Sequence, residues 1–145
     1  MGTLRMTRAL LGRLIASGDG LVINIGSVAA FERYPGGAGY HAAKSAERAI
    51  TDVLRMELLG QPVRVSEIDP GMVETDFSLV RFGGDAARAD AVYEGVTALS
   101  AADIAECVAF VATRPSHVDI DEMVVRPRDQ ARVHMVNRKR ADPDS

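Results

Sequence analysis

The chain has no tryptophan, one cysteine, and aromatic side chains at only 5% of its 145 positions. With Cys107 alone, no internal disulfide can form and no thiol cluster can hold a metal, which fits a reducing cytoplasm. Cys107 falls in an apolar helical pattern and reads as a small packing residue rather than a nucleophile. No apolar run approaches the ~20 residues needed to span a bilayer, so no membrane role is expected. The formal net charge is −3, without the concentrated basic face that nucleic-acid binding requires. Lysine is scarce as well. Of seventeen basic side chains only Lys44 and Lys139 are lysines, so position 44 carries a compact ammonium in a chain that otherwise uses guanidinium groups.

The chain is long enough for one domain that buries about two-thirds of its unfolded surface. Residues 1–17 carry Arg5, Arg8 and Arg13, no acid, and apolar Leu4, Leu11, Leu14 and Ile15. That composition resembles a transit peptide, but it leads through Ser17-Gly18-Asp19-Gly20 straight into a strand, as a surface helix packed on a sheet does. At the other end, residues 129–145 read as a polar, flexible tail. Its cluster Arg138-Lys139-Arg140 is expected to be solvated.

Between these ends the pattern alternates. A helix over 3–16 precedes an apolar run at 21–25 that lacks polar alternation, as a buried parallel strand does. A loop with Pro35-Gly36-Gly37 leads to a long helix over 39–59, stopped by Gly60 and Pro62. A second strand spans 63–68 and ends at Asp69-Pro70-Gly71. Short helices are expected over 76–80 and 85–94, then one opened at Ser100-Ala-Ala-Asp103 by a capping box. A third strand covers 122–125. The fold class is α/β, a partial Rossmann-like parallel sheet of three strands with flanking helices, lacking a nucleotide-binding half ahead of it. Its apolar first strand has only one partner in the chain, so the sheet reads as one side of a larger one.

Tyr40-His-Ala-Ala-Lys44 places a phenol and an ammonium one helical turn apart on one face. A phenol is a poor proton donor or acceptor at neutral pH, and a nearby ammonium favours its ionised form. Ser27 stands thirteen residues upstream of Tyr40, at the carboxyl end of a strand, where open α/β sheets bind ligands. Its hydroxyl can donate to a substrate carbonyl oxygen that Tyr40 protonates. Pro70-Gly71-Met72-Val73-Glu74-Thr75 follows the next strand. It forces a turn and offers backbone amides and a hydroxyl, the donors and acceptors that a carboxamide pairs with. Gly36-Gly37-Ala38-Gly39 before a helix superficially mimics a phosphate cradle, but no strand leads directly into it.

From Gly2 to about Arg128 these segments resemble the short-chain dehydrogenase/reductase family, with Asn24-Ile-Gly-Ser27, Tyr40-x-x-x-Lys44 and Pro70-Gly-Met-Val-Glu-Thr75 in family order and spacing. The stretches 75–85 and 113–121 look most like the branch acting on serine, allo-threonine and related 3-hydroxy acids with NADP. The resemblance implies an NAD(P)-dependent interconversion of a secondary alcohol and a carbonyl, with NADP favoured over NAD. Ser27 would orient the substrate carbonyl and Tyr40 would pass the proton. Lys44 would favour the Tyr40 phenolate and hold the nicotinamide ribose, and Pro70, Gly71, Val73 and Thr75 would fix the carboxamide. Arg81 would take a substrate carboxylate. A homodimer or homotetramer through the first and long helices is implied.

The sequence departs from the family in holding no Thr-Gly-x-x-x-Gly-x-Gly phosphate loop and no Asn-Ala-Gly strand. The family's catalytic asparagine would align just ahead of Met1. The expected origin is a truncated gene, an internal start or a longer chain, and the chain alone is expected to be weakly active or inactive. Two other readings stay open, a non-catalytic remnant that dimerises and an extended-type sugar-nucleotide epimerase fragment. Pro70 to Thr75 speaks against the latter.

Overall fold

The computed structural model describes residues 2–139. Helix α1 (Gly2–Ala16), strand β1 (Gly20–Ile25), helix α2 (Ala38–Glu57) and strand β2 (Val63–Pro70) come first. Short helices α3 (Phe77–Arg81) and α4 (Ala86–Asp90), helix α5 (Ala101–Ala112) and strand β3 (Glu122–Val125) follow. The three strands are parallel in the order β1-β2-β3. Ile25 stands opposite Ile68, and Pro70 opposite Val125, so the carboxyl ends of all three strands finish at one edge. This is the α/β parallel sheet that the alternation of apolar runs and helical patterns predicts.

The period of a strand sorts its side chains onto two faces. Val65 of β2 packs with Leu54 of α2 and with Leu58, and Leu11 and Ile15 of α1, Val22 and Val63 join them. Helices α1 and α2 therefore cover the same face, and Gly2–Ala16 forms the surface helix that its apolar stripe suggested, although Leu4 stays exposed. Further along that face β2 turns from apolar to acidic, with Glu67 and Asp69 both buried. The opposite face of β2 meets α5, where the Arg64 guanidinium reaches the Val111 carbonyl. Helix α2 stops at Gly60, whose φ of 84° is a left-handed conformation that a side chain opposes. Helix α5 opens with the capping box, Ser100 Oγ accepting from the Asp103 N–H while Asp103 accepts from the Ser100 N–H.

The polar tail expected over 129–145 differs from what forms as far as Lys139; residues 140–145 lie outside the described residues. Strands β4 (Gln130–Arg132) and β5 (Met135–Val136) pair as an antiparallel hairpin. Glu32 clamps it, accepting from Arg126 and Arg132 at 2.8 Å each and from the Val133 N–H at 2.7 Å. Arg138 and Lys139 are exposed, while Arg138 also donates to the Val92 and Glu94 carbonyls and the Lys139 N–H to the Gly95 carbonyl at 2.8 Å. Hydrogen bonds and an ion pair with residues far back in the chain, rather than any apolar period, hold this segment in place.

Candidate active site

Ser27 ends up at the carboxyl edge of the sheet because β1 stops at Ile25 and a single 3-10 turn, Val28–Ala30, follows. Its hydroxyl caps that turn, accepting the Ala29 N–H at 3.1 Å, which leaves the hydroxyl proton free to donate elsewhere. Its backbone N–H donates to Asp69 Oδ1 at 2.6 Å. Gly26, one residue earlier, has no room for a Cβ against the Asp69 and Glu67 carboxylates.

Helix α2 is stitched to the end of β1 and this turn through Lys44, Ser45 and His41. The Lys44 ammonium donates to the Ile25 carbonyl at 3.0 Å and to Glu47 Oε2 at 2.7 Å. Ser45 Oγ donates to the Ala30 carbonyl at 2.9 Å. The His41 ring nitrogen Nδ1 lies 2.9 Å from the Ala29 carbonyl oxygen. Lys44 is thereby fixed two residues ahead of Ser27, and Tyr40 sits one turn earlier on the same helix. The half-buried Tyr40 ring leans on Phe77 of α3, with centroids 5.4 Å apart. The structure thus holds Lys44 against the end of β1, two residues before Ser27, with Tyr40 one helical turn ahead of Lys44 on α2.

Pro70 to Thr75 lies beyond the end of the neighbouring strand. The Gly71 N–H donates to the Val125 carbonyl at 2.7 Å, and Gln130 Oε1 accepts the Met72 N–H at 2.9 Å, filling the place a Gly71 side chain would take. The Tyr93 hydroxyl donates to the Val73 carbonyl at 3.0 Å and lies 2.8 Å from Ser78 Oγ. Thr75 Oγ1 accepts the Phe77 N–H at 3.3 Å. Arg81 is exposed, its guanidinium stacked over the rings of Tyr34 and Phe82 at 5.3 and 5.4 Å. The glycine run at 36–39 offers no phosphate cradle at Gly37, whose Cβ position is filled by the Tyr34 ring and His41.

Electrostatics at the edge are unusual. Burial, and then the adjacent Glu67, pushes the Asp69 carboxyl up to about 7, and burial raises Glu67 as well. Hydrogen bonding to Glu122 raises Arg48, and the same contact holds Glu122 below the usual carboxylate range. Sequence reasoning passed over His41, Tyr93 and the acid pair. The one available signal was two acids within a strand that is buried on both faces.

Comparison with known proteins agrees with this fold. The sequence signature described as short chain dehydrogenase matches residues 1–82. An oxidoreductase of Mycobacterium tuberculosis is 66% identical over 131 residues, covering 90% of this chain and 52% of that protein. The NADP-dependent 3-hydroxy acid dehydrogenase of Schizosaccharomyces pombe is 42% identical over 141 residues, covering 97% and 54%. Among solved structures, the closed form of a serine dehydrogenase complexed with NADP+ superposes with a TM-score of 0.88 at 38% identity, over 96% of this chain and 56% of that one. The chain spans about half the length of the curated relatives it matches. A signature that runs unbroken through the seam of α2 and β1 leads to one assignment: the chain belongs to the short chain dehydrogenase family.

Proposed function

We propose that this chain carries the proton-transfer and nicotinamide-holding part of an NAD(P)-dependent oxidoreductase that interconverts a secondary alcohol, of the 3-hydroxy acid kind, and its carbonyl compound. The observation that carries the reading is the Lys44 ammonium held on the Ile25 carbonyl, between Ser27 and the turn bearing Tyr40. When bound, NADP or NAD accepts or supplies the hydride. The donor set fits that group. Two of the three Lys44 N–H bonds are used by Ile25 and Glu47, leaving one for ribose hydroxyls. Thr75 accepts from the Phe77 N–H and keeps its own proton for a carboxamide oxygen, beside the backbone of Pro70, Gly71 and Val73.

Ser27 donates its free hydroxyl proton to the substrate oxygen, and Tyr40 passes a proton at that same oxygen. The exposed face of Arg81 takes the substrate carboxylate. NADP is favoured because relatives of this chain are named NADP-dependent 3-hydroxy acid dehydrogenases. The test is NADP reduction by serine and other 3-hydroxy acids, with the protein and with Tyr40→Phe. A hydroxy-acid-dependent rate that the variant loses supports the reading, and a rate that survives in the variant rejects it. The sequence contains no Gly-rich phosphate loop, so these 145 residues alone are expected to bind NADPH weakly. Saturable low-micromolar enhancement of nicotinamide fluorescence would contradict that.

A second reading, a dimerising and non-catalytic chain, rests on exposed apolar side chains: Leu4, Met6 and Leu10 on α1, Val53 and Met56 on α2, and Leu59 just beyond. These helices are the proposed contact with another copy. Self-association without turnover of any hydroxy acid would favour this reading over the first.

A further inference from the structure

Two carboxyl groups lie directly beneath Ser27, and the proposed reaction uses neither of them. Glu67 and Asp69 stand two apart on β2, hence on one face, 3% and 0% exposed. Both press against Gly26. The groups facing them come from three elements. From α2 come Arg48, Thr51 and Asp52; from β3 comes Glu122; from the end of β1 come the Asn24 side chain and the Ser27 N–H. Lys44 is turned instead to the Ile25 carbonyl and Glu47.

Arg48 is the cation nearest the pair, and it is shared. Its fork binds Glu122 at 2.7 and 2.6 Å, and only one nitrogen reaches Asp69 Oδ2, at 3.4 Å. Two desolvated carboxylates beside a guanidinium already matched by a third are not both ionised at equilibrium. The hydrogen-bond inventory places the missing proton. Asp69 faces donors on both oxygens, the Ser27 N–H and Arg48, as an ionised carboxylate does. Glu67 faces Thr51 and Asp69. Thr51 has already given its hydroxyl proton to the Glu47 carbonyl at 3.0 Å and accepts from Asn24 at 2.9 Å, so it has no proton left for Glu67. Glu67 Oε1 makes no hydrogen bond among the described residues. With Oε1 receiving no hydrogen bond, Glu67 is the acid of the pair left to carry the proton.

We propose that Glu67 is held as a protonated acid, sharing its proton with Asp69, and that Asp69 is thereby a positioning residue that fixes Ser27 through its backbone N–H. The inference rests on the reading of Ser27 as the group that meets the substrate oxygen. Neither acid touches substrate. Removing the shared proton sets two anions against Gly26, and the repulsion between them bears on the hydrogen bond that Asp69 accepts from the Ser27 N–H. The proton state of the pair is therefore coupled to the placement of the Ser27 hydroxyl.

The experiment follows the Ser27 amide proton and the Glu67 and Asp69 carboxyl carbons by NMR across neutral pH in the full chain, alongside Glu67→Gln. Gln keeps the shape and a donor but cannot ionise. The expected result is one transition near neutrality, shared by the Ser27 amide and both carboxyl carbons, and absent at Ser27 in the variant. A Ser27 amide that stays flat while the carboxyls titrate overturns the proposal, as does a transition that persists in Glu67→Gln. The native chain alone decides the matter if the variant fails to fold. None of these signals needs turnover, so an absence of dehydrogenase activity would reject the proposed reaction without touching this result. In the active protein, Asp69→Asn should lower kcat/KM about tenfold, and Glu67→Gln should flatten the alkaline limb of the kcat/KM profile.

Discussion

His41 accepts the backbone N–H of Tyr34 on its Nε2, at 3.1 Å. The other nitrogen therefore carries the ring proton and donates it to the Ala29 carbonyl at 2.9 Å. The imidazole is 5% exposed and meets the Tyr34 ring edge-on, centroids 4.3 Å apart. One side chain thus ties together the turn after Ser27, the loop before α2 and the helix that carries Tyr40. His41→Ala would strand two buried backbone groups and open a cavity, at an expected cost of about 2–4 kcal/mol in urea unfolding. Amide exchange in residues 31–37 should accelerate with it. A loss below about 0.5 kcal/mol, the usual range of an inconsequential surface change, would show that the tie carries no load.

Tyr40 separates chemistry from packing. Its ring rests on Phe77, and Tyr40→Phe preserves that contact while deleting the hydroxyl. Stability should stay within about 0.5 kcal/mol, and kcat/KM should fall by about 10²- to 10⁴-fold, the range for loss of a general acid or base. Lys44→Met should also depress activity, with a measurable loss of stability, because it frees the Ile25 carbonyl and Glu47. Paired denaturation and steady-state measurements check both.

How much of this was legible beforehand varies with how local the cause is. Strands β1 and β2 announce themselves because an apolar run at 21–25 and a Val- and Ile-bearing segment at 63–68 are bounded by Gly20, Gly26, Pro62 and Gly71. The Tyr40–Lys44 turn was legible because helical spacing alone brings the two side chains together. Strand β2 runs on through Asp69 and Pro70, past the expected end at Ile68, because Val124 and Val125 of β3 pair with them. The hairpin β4–β5 left no such trace. Its anchor is Glu32, about a hundred residues earlier, and an ion pair across that distance imposes no period on either segment. His41 read as a spacer within Tyr-x-x-x-Lys, since only the folded loop brings Tyr34 to its ring.

Glu32 gives the hairpin an acid limit. Burial works against its charge, but hydrogen bonds from Arg132 and the Val133 N–H, with the Arg126 and Arg132 charges, hold its carboxyl below the usual range. A depressed carboxyl stabilises the fold above its unfolded value, about 4.3, and that contribution is lost as pH falls through the folded value. Glu32→Gln should cost about 1–3 kcal/mol at neutral pH and progressively less in acid. Urea melts at the two pH values check it. An equal cost at both would rule out the charge as the cause.

The buried pair gives the opposite limit. With Asp69 raised to about 7 and Glu67 raised beside it, the pair binds its shared proton more tightly in the native chain than in the unfolded one. The resulting stability is complete below the unfolded value, about 3.9, and declines as pH rises through about 7. The slope cannot exceed about 1.4 kcal/mol per pH unit for one proton. Thermal melts from mildly acid to mildly alkaline pH should show the decline in the native chain and a flatter course in Glu67→Gln.

The apolar residues left open on α1 and α2 set a last expectation. Met56 is 67% exposed and Leu59 89%, while their neighbours Leu54 and Leu58 are buried in the core, so the helix turns one apolar stripe inward and leaves another uncovered. Uncovered stripes on two helices of the same face favour a second copy as their cover, since a two-fold contact buries both at once. Met56→Glu faces outward and should leave the monomer's stability within about 0.5 kcal/mol. At a contact with another copy it places two carboxylates in apolar surroundings, and the dissociation constant should rise at least about tenfold. Sedimentation velocity over a concentration series checks both halves. A native chain that stays monomeric throughout would leave these helices without the proposed partner.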